Sequence, residues 1–296
     1  MNFEWMHLKE LIWIRELQTT LRSTFLDNIM FGLNLVDTFP FYVLLITLIW
    51  FCYKRDLGIK LIFVFFITSF INQQAKELLG QPRPCQMDLS VCMIKAKSFG
   101  IPSGAAQSMV TIFYFLCYQI RDRRFWGFSI FFILLISFSR IYLGLHFFSD
   151  IVLGWILGIV VTTAYIYILP YAMSYIKKQS KTTLTIHALL LAAVLSLLAL
   201  NKNTTLVIFS SLGVILGLIY GNGLKDPTKL FQRIYRPTIV LIGVFILMIT
   251  TLILPIKGSI INLLIQRICQ ILAGVWIASW VNIVIEKTEK KISKIL

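Results

Sequence analysis

Charge is scarce in this chain: of 296 residues, only 14% are Asp, Glu, Lys or Arg, and histidine occurs three times. The three histidines, His7, His146 and His187, fall on different predicted elements, and no cysteine or histidine–carboxylate cluster has ligand spacing. No bound metal and no other cofactor is therefore expected. The formal net charge of +15 would suggest a nucleic-acid partner in a soluble protein. Here no basic cluster is interleaved with aromatics on a soluble face, so that class is set aside. The first twenty residues lack the basic start and small-residue cleavage site of a secretory signal. Cysteine is also sparse, at five residues; Cys52, Cys117 and Cys269 lie in apolar runs and read as packing residues.

What is abundant is apolar: 58% of the residues, in long runs such as FYVLLITLIWFCY and WGFSIFFILLISF. A soluble core of this size needs no such stretches, so the chain is expected to be an all-α, polytopic integral membrane helix bundle. About nine spans are predicted, near 38–53, 58–79, 103–120, 125–143, 149–170, 184–200, 204–221, 238–254 and 259–284. Basic residues cluster in alternate loops: Lys54, Arg55 and Lys60; Arg121, Arg123 and Arg124; Lys177, Lys178 and Lys181; Lys225, Lys229, Arg233 and Arg236. With Lys287, Lys290, Lys291 and Lys294 at the end, these mark the cytoplasmic side. The N-terminus is then outside, and residues 2–20 form an amphipathic helix that either lies along the outer interface or packs on the bundle. Three regions are expected: 1–37, an N-terminal interfacial segment; 38–175, a membrane core; and 176–296, further membrane helices of unassigned role.

Three distant segments share the predicted outer face. KELLGQPRP carries Lys76 and Arg83, PSGA carries Ser103, Gly104 and Ala105, and SRIYLGLHFFSD carries Arg140, His146 and Asp150. Each piece alone has a plain structural reading: snorkelling cations, a helix cap, an interfacial aromatic. Together they supply what phosphoryl transfer needs. Lys76, Arg83 and Arg140 are fixed cations for charge developing on phosphoryl oxygens. Ser103 donates a hydroxyl, and Gly104 opens a helix whose N-terminus favours an anion. His146 is a candidate nucleophile, and Asp150, four residues on, can reach its other ring nitrogen. Cys85 and Cys92 share one outer loop, where a disulfide is expected on the oxidising side, with two free thiols as the alternative. Asn72 with its two glutamine neighbours either orients these side chains or bonds to adjacent helices. Arg267, inside the last span beside Gln266 and Gln270, is either a headgroup contact or an interhelical pair, the second being favoured. His187 reads as structural.

The pattern Lys, six residues, Arg-Pro; Pro-Ser-Gly; Ser-Arg, five residues, His, three residues, Asp resembles the type 2 phosphatidic acid phosphatase superfamily over about residues 20–170. The layout is most similar to the sphingosine-1-phosphate phosphatase and glucose-6-phosphatase branch. That resemblance implies a metal-independent lipid phosphatase working through a phosphohistidine on His146, with Asp150 as its partner. Lys76, Arg83, Ser103, Gly104 and Arg140 would hold the phosphate of a membrane lipid substrate. It also implies a histidine after Pro-Ser-Gly to protonate the leaving oxygen, and at that position stands Ala105. Losing a general acid costs about 10²–10⁴-fold, so the chain is expected to be a disarmed phosphatase. An alanine introduced to trap substrate would explain this. Two alternatives stay open: a diphosphate substrate, whose leaving group needs little protonation, and a lipid-phosphate binding or transport protein without turnover. A multi-pass protein of the bacterial inner membrane is expected, with the chemistry on the outer, periplasmic face, or of the endoplasmic reticulum membrane with a luminal site in a eukaryote.

Overall fold

In the computed structural model, residues 4–253 and 260–292 are described, and among them no strand occurs. The helices run in order: α1 Glu4–Leu21, α2 Thr24–Asn34, α3 Phe39–Leu48 with a π-helical extension Ile49–Tyr53, and α4 Arg55–Leu79. A single turn α5 Pro84–Met87 precedes α6 Gly104–Ile120, α7 Arg123–Tyr142 and α8 Phe148–Lys178. Then come α9 Lys181–Leu197, α10 Lys202–Tyr220, α11 Leu230–Ile253, α12 Ile260–Val275 and, after a π-helical turn, α13 Val281–Ile292.

Among the described residues, five stretches are long and apolar enough to cross a membrane: Arg55–Met87, Arg123–Tyr142, Phe148–Lys178, Lys202–Tyr220 and Leu263–Lys291. The chain is a multi-pass membrane protein. Two further apolar helices, Leu44–Tyr53 and Lys181–Leu197, are shorter than the ~20 residues of a straight crossing. The end of the expected eighth span at 254 and the start of the ninth at 259 lie outside the described residues.

The chain divides into two compact units. One holds residues 1–42 and 67–168; the other holds 43–66 and 169–296. The first unit is built on α6, α7 and α8. Gly154 and Gly158, one turn apart on α8, let that helix approach the start of α6 closely. A Cβ at Gly154 would lie 2.7 Å from the Ser103 carbonyl oxygen, and one at Gly158 would lie 2.9 Å from that of Gln107. Small residues four apart are a general device for close helix approach in a membrane, where apolar burial alone drives no association. A ladder of buried amides and hydroxyls ties α4 to α6. Asn72 donates to the Gln107 side-chain oxygen at 2.8 Å, Gln107 donates to the Thr68 hydroxyl at 2.9 Å, and Thr68 meets Thr111 at 3.0 Å.

α1 and α2 pack over the turn that joins α7 to α8. Leu11 and Ile14 bury against Val91 and Phe147. Met30 buries against Tyr142, Leu143 and Leu145. His7 stacks on Phe147 with centroids 4.3 Å apart. Glu10 accepts from the Ser149 backbone and hydroxyl at 3.0 and 2.9 Å. Gln18 caps two backbone carbonyls, those of Val91 and Tyr142. The opposite face of α1 leaves Trp5, Leu8, Ile12 and Trp13 exposed.

The second unit is held by close helix contact of a different kind. A Cβ on Gly213 would overlap the Ile271 carbonyl, and one on Gly217 would come within 2.7 Å of Ala278. Two of its polar contacts sit toward helix ends: Arg236 bonds to Glu289 at 2.7 Å, and the Arg55 backbone donates to Asp226 at 2.8 Å. Arg267 bonds to Gln270 at 3.2 Å and lies over the Phe209 ring, a packing arrangement. His187 lies against the Tyr175 ring.

Candidate active site

The site is assembled where α6 begins, α7 ends and α8 begins. Ser103 caps α6, its hydroxyl accepting from the Ala106 N–H at 3.4 Å. A helix start leaves the first N–H groups without intrahelical acceptors, here those of Gly104 and Ala105, and the dipole makes that end favourable to an anion. The Ser103 N–H donates to the Asp150 carbonyl at 2.9 Å, which joins this turn to α8. Asn72 donates to the Pro102 carbonyl at 3.3 Å, and a Cβ at Gly104 would sit 3.1 Å from the Asn72 side-chain oxygen. Asn72 thus both bonds to the neighbouring helix and fixes the turn.

The turn between α7 and α8 carries His146. Gly144 makes it possible with φ +69° in the left-handed region, and a Cβ there would overlap the Val91 carbonyl. His146 is buried, 3% exposed. Its Nδ1 lies 3.2 Å from Asp150 Oδ2, which also accepts from the Phe147 N–H at 3.0 Å. Its Nε2 lies 3.1 Å from Arg83 Nη1. A guanidinium only donates, so Nε2 must be the acceptor and the ring proton must sit on Nδ1, facing the carboxylate. The imidazole therefore has its Nε2 lone pair turned toward a cation. Burial pushes the His146 pKa well below its ordinary value, and the charges of Arg83, Lys76 and Arg140 push it the same way. A neutral imidazole results, which is the nucleophilic form.

The cations converge from different elements. Arg83 donates to the carbonyls of Ser98 and Leu145 at 2.7 and 2.8 Å and to the Ser98 hydroxyl at 2.9 Å. Lys76, near the end of α4, donates to the carbonyls of Phe99 and Gly100 at 2.8 and 3.0 Å. Gly100 permits this crowding, since a Cβ there would meet the Pro82 carbonyl at 2.9 Å and Asp150 Oδ2 at 3.0 Å. Arg140 is 1% exposed and hydrogen bonds to Asn34 Oδ1 at 2.7 Å and the Leu33 carbonyl at 3.2 Å. Its guanidinium also lies 3.5 Å from Asp37 Oδ2. Cys85 and Cys92 are joined as a disulfide in the loop beside Arg83. Ala105, 1% exposed, places a methyl group one residue into α6. Among the described residues, no three His, Cys, Asp or Glu side chains gather as metal ligands would.

Residues 57–174 match the family model described as the PAP2 superfamily. The chain carries a PAP2 superfamily domain. Similar curated proteins include undecaprenyl-diphosphatase of Sulfolobus acidocaldarius, 29% identical over 106 residues, which are 35% of this chain and 51% of that one. Lipid phosphate phosphatase delta of Arabidopsis thaliana is 25% identical over 152 residues, 46% of this chain and 36% of that one. The aligned parts thus span about half or less of those relatives' own lengths. A solved transmembrane PAP2 type phosphatidylglycerolphosphate phosphatase from Bacillus subtilis is 20% identical and covers 56% of this chain and 87% of its own, with a TM-score of 0.48.

Within the PAP2 domain, the three motif segments do meet. Lys76, Arg83, Ser103, His146 and Asp150 are linked through direct contacts or shared backbone partners, and Arg140 stands close enough for its charge to act on His146. Sequence reasoning missed Asn34 and Asp37, which lie before the first predicted span and engage Arg140, and Ser98, which holds Arg83. It also missed the Gly154–Gly158 pair, whose spacing of four was readable as a close-packing face.

Proposed function

We propose that this chain hydrolyses a lipid phosphate through a covalent phosphohistidine on His146. The observation that carries the reading is the imidazole held between Asp150 and Arg83, with Nδ1 facing the carboxylate and Nε2 facing the guanidinium. In the first step Nε2 attacks phosphorus, and Asp150 stabilises the positive charge that the ring acquires. Arg83, Lys76 and Arg140 balance the charge on the non-bridging oxygens, with Ser103 and the α6 N-terminus completing the cradle. Water then attacks the phosphorus of the intermediate and returns the electron pair to Nε2.

The fine choice of substrate turns on Ala105. An alkoxide leaves poorly without a proton, so a site with no other donor would be disarmed toward simple lipid monoesters, slower by about 10²–10⁴-fold. Sphingoid-base phosphates and phosphatidic acid fall in that class. A polyprenyl diphosphate would be spared, because its leaving group is itself a phosphate. The similarity to a curated undecaprenyl-diphosphatase supports keeping that second substrate class. The nine-span topology with the site on the outer face rests on the alternation of basic loops.

The test is phosphate release from detergent-purified protein on sphingoid-base phosphate, phosphatidic acid and polyprenyl diphosphate, with and without chelator. Labelled substrate should leave an acid-labile, alkali-stable phosphoryl group on the protein, lost in His146→Ala. Turnover that survives His146→Ala would rule the covalent route out.

A further inference from the structure

Ala105 removes a proton donor from α6, yet a carboxyl group stands in the same cluster of cations. Asp37 sits in the short turn between α2 and α3, with Oδ2 3.5 Å from Arg140 Nη1. Its other oxygen, Oδ1, accepts from the Tyr42 hydroxyl at 2.9 Å. The Tyr42 hydroxyl is in turn bonded to Ser108, which lies three residues beyond Ala105 and so on the same face of α6. The chain of contacts therefore runs from the phosphate cation Arg140, through Asp37 and Tyr42, back to the face of α6 that lacks its acid. The charges of Lys76 and Arg83 also act on Asp37, more weakly than that of Arg140. The Asp37 side chain is mostly buried, 26% exposed, and less enclosed than Arg140 at 2%.

We propose that Asp37, oriented by Tyr42, supplies the leaving-oxygen proton that Ala105 cannot. The assignment rests on the phosphohistidine reading above and identifies the acid of that same site. As His146 Nε2 forms its bond to phosphorus, the phosphorus–oxygen bond to the lipid breaks. Its electron pair goes to the bridging oxygen, and the Asp37 proton goes with it, releasing an alcohol and leaving a carboxylate. In the second step that carboxylate takes a proton from the attacking water. The phosphorus–nitrogen bond breaks and its electrons return to Nε2, so the cycle ends with Asp37 protonated again. Burial already raises the Asp37 carboxyl above its ordinary value, against the pull of Arg140. A bound phosphate adds negative charge beside it and favours the protonated form further.

The experiment compares two leaving groups in the full-length protein: a long-chain alkyl phosphate, whose alkoxide needs a proton, and nitrophenyl phosphate, whose phenolate does not. Asp37→Asn should lose about 10²–10⁴-fold in kcat/KM on the alkyl ester and less than about tenfold on the aryl ester. Asp37→Glu, which keeps a carboxyl, should retain the wild-type ratio between the two substrates within about tenfold. Retained vanadate binding in Asp37→Asn separates lost chemistry from lost fold. Equal losses on both esters would overturn the proposal in favour of Asp37 as a positioning residue for Arg140. Wild-type turnover of the aryl ester alone would also overturn it while leaving the His146 reading intact. Turnover of neither ester, with no phosphoenzyme, would take down the His146 reading and the Asp37 assignment together.

Discussion

The two compact units solve one problem in two ways. Inside a bilayer, apolar side chains gain nothing by leaving lipid for one another, so helices must be joined by hydrogen bonds or by close backbone approach. The first unit uses both, and its polar ladder from Thr111 through Thr68 and Gln107 to Asn72 ends at the Pro-Ser-Gly turn. The second leans on glycine: Gly213 and Gly217 on α10 and Gly274 on α12 bring backbones together. The difference teaches where the chemistry can be. Polar groups deep in a membrane protein are costly unless satisfied, and the first unit spends them on holding a buried imidazole and three cations in register.

The sharpest break in that comparison is His146→Ala, which should cut phosphate release by about 10⁴-fold or more while leaving the unfolding midpoint little changed. Next comes Arg83→Met. Removing one preorganised cation should lower kcat/KM by about 10²–10³-fold. The same variant should move the acidic limb of the pH–rate profile upward. The wild-type limb lies below the ordinary histidine value, because burial and the surrounding cations depress the His146 pKa. On an aryl ester, whose leaving group needs no acid, the acidic fall thus comes only below about pH 6.5, as Nε2 is protonated; with Arg83 gone, one depressing charge is gone and the fall begins at higher pH.

In the second unit, Gly213→Ala forces a Cβ onto the Ile271 carbonyl and should cost about 1–3 kcal/mol of stability by overpacking. Its kcat/KM, corrected for folded fraction, should stay within about twofold; a large kinetic loss would mean the contrast between the units is not a division of labour. Of similar size in stability is Gln107→Leu, which leaves Thr68 and Asn72 short of partners and should destabilise by about 1–3 kcal/mol. Unlike the glycine change, it should also slow turnover, since Asn72 then loses its second anchor while still holding the Pro102 carbonyl.

Much of the site was legible because its residues are chemically unusual for their surroundings. A lone histidine, an aspartate four residues on and three cations stand out against apolar runs. The capping turn was likewise readable from Pro102, Ser103 and Gly104, since a hydroxyl before a helix has one evident local use. Asp37 and Asn34 were not legible: their partner Arg140 is over one hundred residues away, with a separation of 106 for Asn34, and no local pattern announces such a pairing. From α3 onward the apolar helices were legible from hydropathy, whereas α2 and the grouping of 43–66 with the C-terminal helices were not. Which helices cluster depends on small-residue faces that length and hydropathy do not report.

The contact between Glu10 and Ser149 also sets a timetable. The two are 139 residues apart, so the helix made first docks onto a turn made much later. At about 5–20 residues per second, Ser149 follows Glu10 out of the ribosome by roughly 7–28 s. Through that interval Leu11, Ile14 and His7 have no final surface to bury against. Docking of α1 over the turn that carries His146 therefore waits until that turn has been made.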